Sequence, residues 1–216
     1  VGWLIPDEEV IELLAEVGFK EIVLPFESAN LRIIKKWCSN KLALDRFDPG
    51  NLIRTIKKYK MYVGTNYMLG FPDETRELIF DTINLNRSIK SATINAYLYN
   101  PYPGTALYEV CRKKGYLPKE GDEKAIDTHL STEAFPYFKT ILNLPTISKS
   151  ELCGLQKTFV LYSKLPRNEF KRIKIAEQHD EEGNKMFDLL SKEYEDVIQG
   201  KVQLAHEIKE YLGMAN

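Results

Sequence analysis

The chain has 216 residues, 44% of them hydrophobic and 28% charged, and 30 Lys and Arg against 31 Asp and Glu leave a formal net charge of −1. Such a chain can bury a sizeable core, and one domain with an appendage is the expected organisation. The balanced charge argues against nucleic acid or a membrane surface as partner, and no apolar run approaches the roughly 18 residues of a membrane span.

The start, Val1-Gly2-Trp3-Leu4-Ile5-Pro6, lacks the basic region of a signal peptide and an initiator Met, so a piece of a larger protein is expected. Asp7 is placed to cap a helix carrying Val10, Leu13, Leu14 and Val17, ending at Gly18. Lys20–Phe26 reads as a strand, its continuous Ile22-Val23-Leu24 fitting a strand covered on both faces. Ser28 is the expected cap of the next helix, with Leu31, Ile34 and Cys38 at helical spacing. A polar link over Ser39–Phe47 leads to Asp48-Pro49, a cap followed by proline in the first turn, ahead of Leu52, Ile53, Ile56 and Tyr59. Met61–Leu69 is the second strand. After Gly70-Phe71-Pro72 a helix is expected from about Asp73 to Ile89. Ala92–Tyr99 is the third strand, and Thr105–Lys114 a short helix closed by Gly115.

Strands alternating with helices at this spacing fit crossover units of a parallel sheet. The fold class expected is α/β, either an incomplete (β/α) TIM-like barrel or part of an open doubly wound sheet. Beyond Leu117 the pattern changes. Residues 118–147 read as an irregular link with scattered aromatics (Phe135, Tyr137, Phe138). An α-helical carboxyl-terminal region follows over 148–216. It comprises Ser148–Lys164, capped by Ser148 and ended by Pro166, and charged helices at Glu169–Gln199 and Val202–Leu212.

If the strands are parallel, their carboxyl ends bring Glu27-Ser28, Gly70–Thr75 and Asn100–Thr105 onto one edge, the place where α/β sheets bind ligands. Glu27 there can accept from a pair of hydroxyls such as a ribose diol, or simply favour the positive end of the next helix. Gly70 leaves room for a planar group near the backbone, or supplies a turn with positive φ. Asp73, Glu74 and Glu77 are stabilising in a first helical turn without any ligand. Thr105 reads as an N-cap. Cys38, Cys111 and Cys153 are isolated, and His129, His179 and His206 are scattered, so no metal site is expected in this chain. Unpaired cysteines of this kind fit a reducing, cytoplasmic setting.

Taken together, PFESAN, MLGFPDET and NPYPGTALYE, in this order, resemble the radical S-adenosylmethionine superfamily. The likeness is strongest to the branch whose members often carry an N-terminal cobalamin-binding domain, and it covers residues 7–117. It implies a partial (β/α)6 barrel that binds S-adenosylmethionine beside a 4Fe-4S cluster. By that resemblance Glu27 with Ser28 lies near the ribose, Gly70 to Glu74 form the adenine-side motif, and the Tyr99–Tyr102 backbone borders the adenine. The cluster loop, CxxxCxxC, is absent, which places the cluster ligands upstream. The resemblance therefore implies a fragment, residues 1–117, of a radical enzyme's barrel, inactive alone, with an unknown small-molecule substrate. Cobalamin would belong to an upstream domain. An open strand edge at the N-terminal side is expected to favour pairing with a second copy. Two other readings are a nucleoside-binding α/β domain without radical chemistry, and a helical partner-binding module, Ser148–Asn216, on an α/β scaffold.

Overall fold

A computed structural model describes residues 7–38, 48–118 and 140–198. The described elements run α1 (Glu8–Glu16), β1 (Glu21–Glu27), α2 (Leu31–Trp37), α3 (Pro49–Lys58), β2 (Tyr62–Leu69), α4 (Arg76–Ile89), β3 (Thr93–Leu98) and α5 (Ala106–Lys113). After them come α6 (Lys149–Lys164), a 3-10 turn (Arg167–Glu169), α7 (Phe170–Ala176) and α8 (Glu181–Ile198). The expected helix Val202–Leu212 and the aromatics Phe135, Tyr137 and Phe138 lie outside the described residues.

The strands form a three-stranded, wholly parallel sheet in the order β1-β2-β3. This is the expected α/β architecture, and among the described residues the sheet is open rather than closed into a barrel. Val63, Thr65, Tyr67 and Leu69 alternate along β2 and are all buried beneath the helices. The alternate face is far less covered, since Val23, Tyr62 and Tyr97 are exposed there. The expectation that β1 is covered on both faces therefore fails at Val23. Helices α3 and α4 pack on β2, and α6 packs on β3 and α4. Gln156 of α6 donates to the Ala96 carbonyl of β3 at 3.0 Å. Among the described residues no strand pairs with the outer side of β1.

Local chemistry accounts for most helix starts. Asp7 accepts from Val10 N–H, Asp48 from Gly50 N–H, Thr105 from Tyr108 N–H and Ser148 from Glu151 N–H, each satisfying a donor that the first turn leaves free. Two starts differ from expectation. The cap of α2 is Asn30, not Ser28, because Glu27 adopts φ 62 and the turn it makes delays the helix. Helix α4 begins at Arg76 behind a Thr75 cap, because Asp73 at φ 67 cannot join a right-handed helix.

The expected helix Glu169–Gln199 is broken in two at Glu177–Asp180. Here α7 ends against α6. A Cβ on Gly154 would lie 2.5 Å from the Glu177 carbonyl oxygen, so only glycine permits the crossing. Asp180 then accepts from Gly183 N–H at 2.8 Å and starts α8 afresh.

Long-range polar contacts fasten these layers. Behind the sheet Asn86 Oδ1 accepts from Thr65 Oγ1 (2.8 Å), Tyr67 Oη (3.0 Å) and Ser91 Oγ (2.8 Å), tying β2 to the end of α4. Arg87 donates to the carbonyls of Tyr162 and Leu165, where the C-terminal end of α6 favours a cation. Lys164 donates to the Ser91 carbonyl, and burial pushes its ammonium down to about 8, helped by the charge of Lys57.

Candidate functional site

Parallel pairing sets the three carboxyl ends side by side. Glu27 pairs with Tyr67 and Leu69 with Leu98, and a register shift at Pro25/Glu27 turns the end of β1. Ser28 N–H donates back to the Phe26 carbonyl at 2.7 Å, so Glu27 sits at the apex of a three-residue turn. A glutamate in left-handed backbone is uncommon and strained, and strain of this kind gathers at ligand sites. Its side chain is buried. Ser28 is fully buried, and its hydroxyl meets Asn30 N–H at 3.1 Å and Thr82 Oγ1 at 3.4 Å. Ser28 thus holds the turn in place from inside.

Gly70 ends β2 at φ 88, and a Cβ there would lie 2.6 Å from Cδ2 of Leu152. The glycine therefore serves both the turn and the close approach of α6. The room beside it is filled by a leucine rather than left for a planar ligand. We expect Gly70→Ala to lower stability by about 2 kcal/mol, from left-handed strain and displacement of Leu152. Urea unfolding of the two proteins would measure it, and equal midpoints would refute this account of Gly70.

Glu74 turns inward. Its Oε2 accepts from Gly70 N–H at 2.6 Å and Phe71 N–H at 3.2 Å, which fixes the turn between β2 and α4. Its backbone carbonyl accepts from Thr146 Oγ1 at 2.6 Å. The residue is wholly buried, and among the described residues Oε1 has no hydrogen-bond partner. Burial raises its carboxyl to about 7, against the pull of the two amides. A half-satisfied carboxylate in a dry site costs free energy, so this side chain is poised between charged and neutral forms.

At the end of β3, Tyr99 N–H continues the ladder to the Leu69 carbonyl at 2.7 Å. Its ring stacks on Phe71 with centroids 4.9 Å apart and planes at 21°, linking the second and third strand ends. Burial, with Cys111 and Cys38 nearby, raises the Tyr99 hydroxyl above its ordinary range. Asn100 Oδ1 accepts from Ile141 N–H at 3.0 Å and brings the returning segment 140–148 against the same edge. Tyr102 is exposed, and its carbonyl accepts from the Thr105 amide and hydroxyl.

The structure thus gathers all six residues singled out in the sequence on one edge of the sheet, but in different roles. Ser28, Gly70 and Glu74 shape the turns. Glu27, Tyr99 and Tyr102 belong to the rim. Sequence reasoning placed Asp73 and Asn100 on this edge without reading their roles, and missed Thr146. Their partners lie far off in the chain, and only the Pro72-Asp73 turn gave any local signal. Cys111 and Cys153 are buried and Cys38 is half-buried; none of the three forms a disulfide. Among the described residues no group of three His, Cys, Asp or Glu side chains could hold a metal ion, and no helix is long and apolar enough to cross a membrane.

No family model matches the chain. Over 106 residues it is 29% identical to an uncharacterized methyltransferase of Pyrococcus horikoshii, covering 48% of this chain and 22% of that protein. It is 30% identical over 121 residues to the tRNA-2-methylthio-N(6)-dimethylallyladenosine synthase of Halalkalibacterium halodurans, covering 53% of this chain and 21% of the relative. The synthase of the same name from Pelotomaculum thermopropionicum is 36% identical over 89 residues, covering 40% and 19%. The chain spans about a fifth of the length of the curated relatives it matches. Part of this chain is therefore similar to part of a methyltransferase and of synthases that form a methylthiolated tRNA nucleoside.

Proposed function

We propose that this chain is the carboxyl-terminal part of a radical S-adenosylmethionine barrel with an α-helical extension, inactive alone. In the parent protein it would supply the adenosyl side of the cofactor site. The observation that supports this most directly is the gathering of PFES, MLGFPDET and NPYPGT on one edge of a parallel sheet, with Glu74 fixing the glycine turn. The names of the relatives support the same reading, since methyl transfer and methylthiolation suit such an enzyme.

The fit to each group differs. For a nucleoside, the rim offers the buried carboxylate of Glu27, the Tyr99 ring stacked on Phe71 and the exposed Tyr102. For the iron–sulfur cluster the fit fails among the described residues, because none of Cys38, Cys111 and Cys153 belongs to a group that could hold a metal. Cluster ligands would come from the rest of the parent. Once bound there, the cluster and S-adenosylmethionine would supply reductive cleavage to a 5′-deoxyadenosyl radical for hydrogen abstraction or methyl transfer. This chain's part is to orient the adenosyl group and exclude water. Cobalamin would be a matter for an upstream domain, and a cytoplasmic setting goes with this chemistry. The substrate is a small molecule or nucleoside left open by these residues. The outer side of β1 would take a further strand, and in the isolated chain a second copy; sedimentation would register this as a dimer.

The test is anaerobic reconstitution of the parent protein with iron and sulfide, then reduction with S-adenosylmethionine and assay of 5′-deoxyadenosine. Product is expected, reduced roughly tenfold or more in Glu27→Ala, by loss of one charge-assisted contact. A parent that assembles no cluster and cleaves nothing would overturn the proposal. Adenosine binding that persists without iron would then favour the nucleoside-binding domain.

A further inference from the structure

We propose that Asp73 is a positioning residue that clasps the connections after all three strands together, and that salt loosens this clasp. Its Oδ2 accepts from Lys36 Nζ at 2.6 Å and its Oδ1 from Lys114 Nζ at 3.1 Å. The lysines lie 37 and 41 residues away in sequence, in opposite directions. Lys36 is in the last turn of α2, which follows β1. Lys114 is the C-cap of α5, which follows β3, and Asp73 itself lies in the turn after β2. One carboxylate therefore ties together the three segments that frame the candidate site.

The backbone shows that this residue is there for its side chain. At φ 67 glycine is the strain-free choice, and aspartate tolerates the conformation only better than most. What aspartate adds is a carboxylate with both oxygens engaged. Bonds from Lys36, then Lys114, hold its carboxyl below the ordinary range. Each lysine is also steadied by a ring, Lys36 4.6 Å from the Trp37 centroid and Lys114 5.4 Å from that of Tyr116. The side chains of Lys36 and Lys114 are 44% and 38% exposed, that of Asp73 25%, so water and ions reach the clasp. Such pairs change an equilibrium by at most about fivefold each and are screened by salt. They set how open the mouth of the site stands without locking it. This inference rests on the contacts alone and does not need the adenosyl reading to hold.

Hydrogen exchange of the chain, read by mass spectrometry at low and high salt, tests it. In Asp73→Asn, residues 31–38 and 112–118 should exchange together roughly 3- to 5-fold faster. Lys36→Met should release only the first segment and Lys114→Met only the second. High salt should bring the unmodified chain to the rates of Asp73→Asn and change that variant little. Asp73→Gly, free of backbone strain, should be as unprotected as Asp73→Asn. Protection unchanged in Asp73→Asn, retained in Asp73→Gly or insensitive to salt would overturn the clasp. So would a rise spread equally over β2 and α4, which marks general loosening.

Discussion

Replacing Glu177 with alanine is expected to destabilise the protein by roughly 3–5 kcal/mol, the range for removing one partner of a buried ion pair. Glu177 is only 5% exposed and ends α7 against the sheet's helical layer. Its Oε1 accepts from Arg76 Nη2 at 2.6 Å and from the Tyr162 hydroxyl, and its Oε2 accepts from Arg76 Nη1 at 2.9 Å and Lys174 Nζ at 2.8 Å. The bidentate fork joins the first turn of α4, next to the candidate site, to the helical extension. Arg76 also reaches Glu151 at 3.1 Å and lies 5.1 Å from the Phe80 ring, so truncating Glu177 removes the bidentate partner of a half-buried guanidinium and leaves it the longer, single contact to Glu151.

Burial alone would raise the Glu177 carboxyl, but the bonds from Arg76, Lys174 and Tyr162 outweigh it and hold the group below its ordinary value. The stability this supplies is present above the unfolded value near 4.5 and is lost as acid titrates the folded group below it. Glu177→Gln should therefore show a flatter acid limb than the parent chain. Denaturant midpoints of the three proteins from neutral pH into acid measure both effects. A Glu177→Ala midpoint equal to that of the parent would mean that the network is solvated and ornamental.

Glu74 is expected to behave in the opposite sense. Its carboxyl is raised from 4.5 to about 7, first by burial, with the amides of Gly70 and Phe71 opposing. Between these values the folded chain holds a proton that the unfolded chain has lost, so stability falls as pH rises from 4.5 and is lowest above 7. The shift corresponds to a loss on the order of 3 kcal/mol. Glu74→Gln keeps an oxygen for the two amides and cannot ionise. Relative to the parent it should gain about 3 kcal/mol between mildly acidic and mildly alkaline pH, whatever constant offset the new amide group brings. Glu74→Ala leaves two amides of the turn without that acceptor and should lower stability in mild acid, where Glu74 of the parent is uncharged. If Glu74→Gln and the parent keep a constant stability difference across that pH span, Glu74 does not titrate there and the buried-carboxyl account fails.

These contacts show why some of the molecule was legible in the chain and some was not. The helix starts at Asp7, Asp48, Thr105 and Ser148 were readable because a cap needs only its own side chain and an amide two or three residues on. The three strands and their parallel sense followed from apolar runs separated by amphipathic helices, a pattern that leaves few topologies, whereas their order β1-β2-β3 came from the structure. The gathering of Glu27, Gly70 and Tyr99 on one edge came with the topology. What those residues do there depended on neighbours distant in sequence. The space at Gly70 is taken by Leu152, the Glu74 carboxylate turns inward to its own loop, and Asp73 meets Lys36 and Lys114. The break between α7 and α8 needs Gly154, more than twenty residues upstream in another helix. Amino-acid order by itself determined the elements, because caps and periodicity act within a few residues. Only the tertiary structure decided burial, and burial decides whether a carboxylate braces a turn, clasps a loop or meets a ligand.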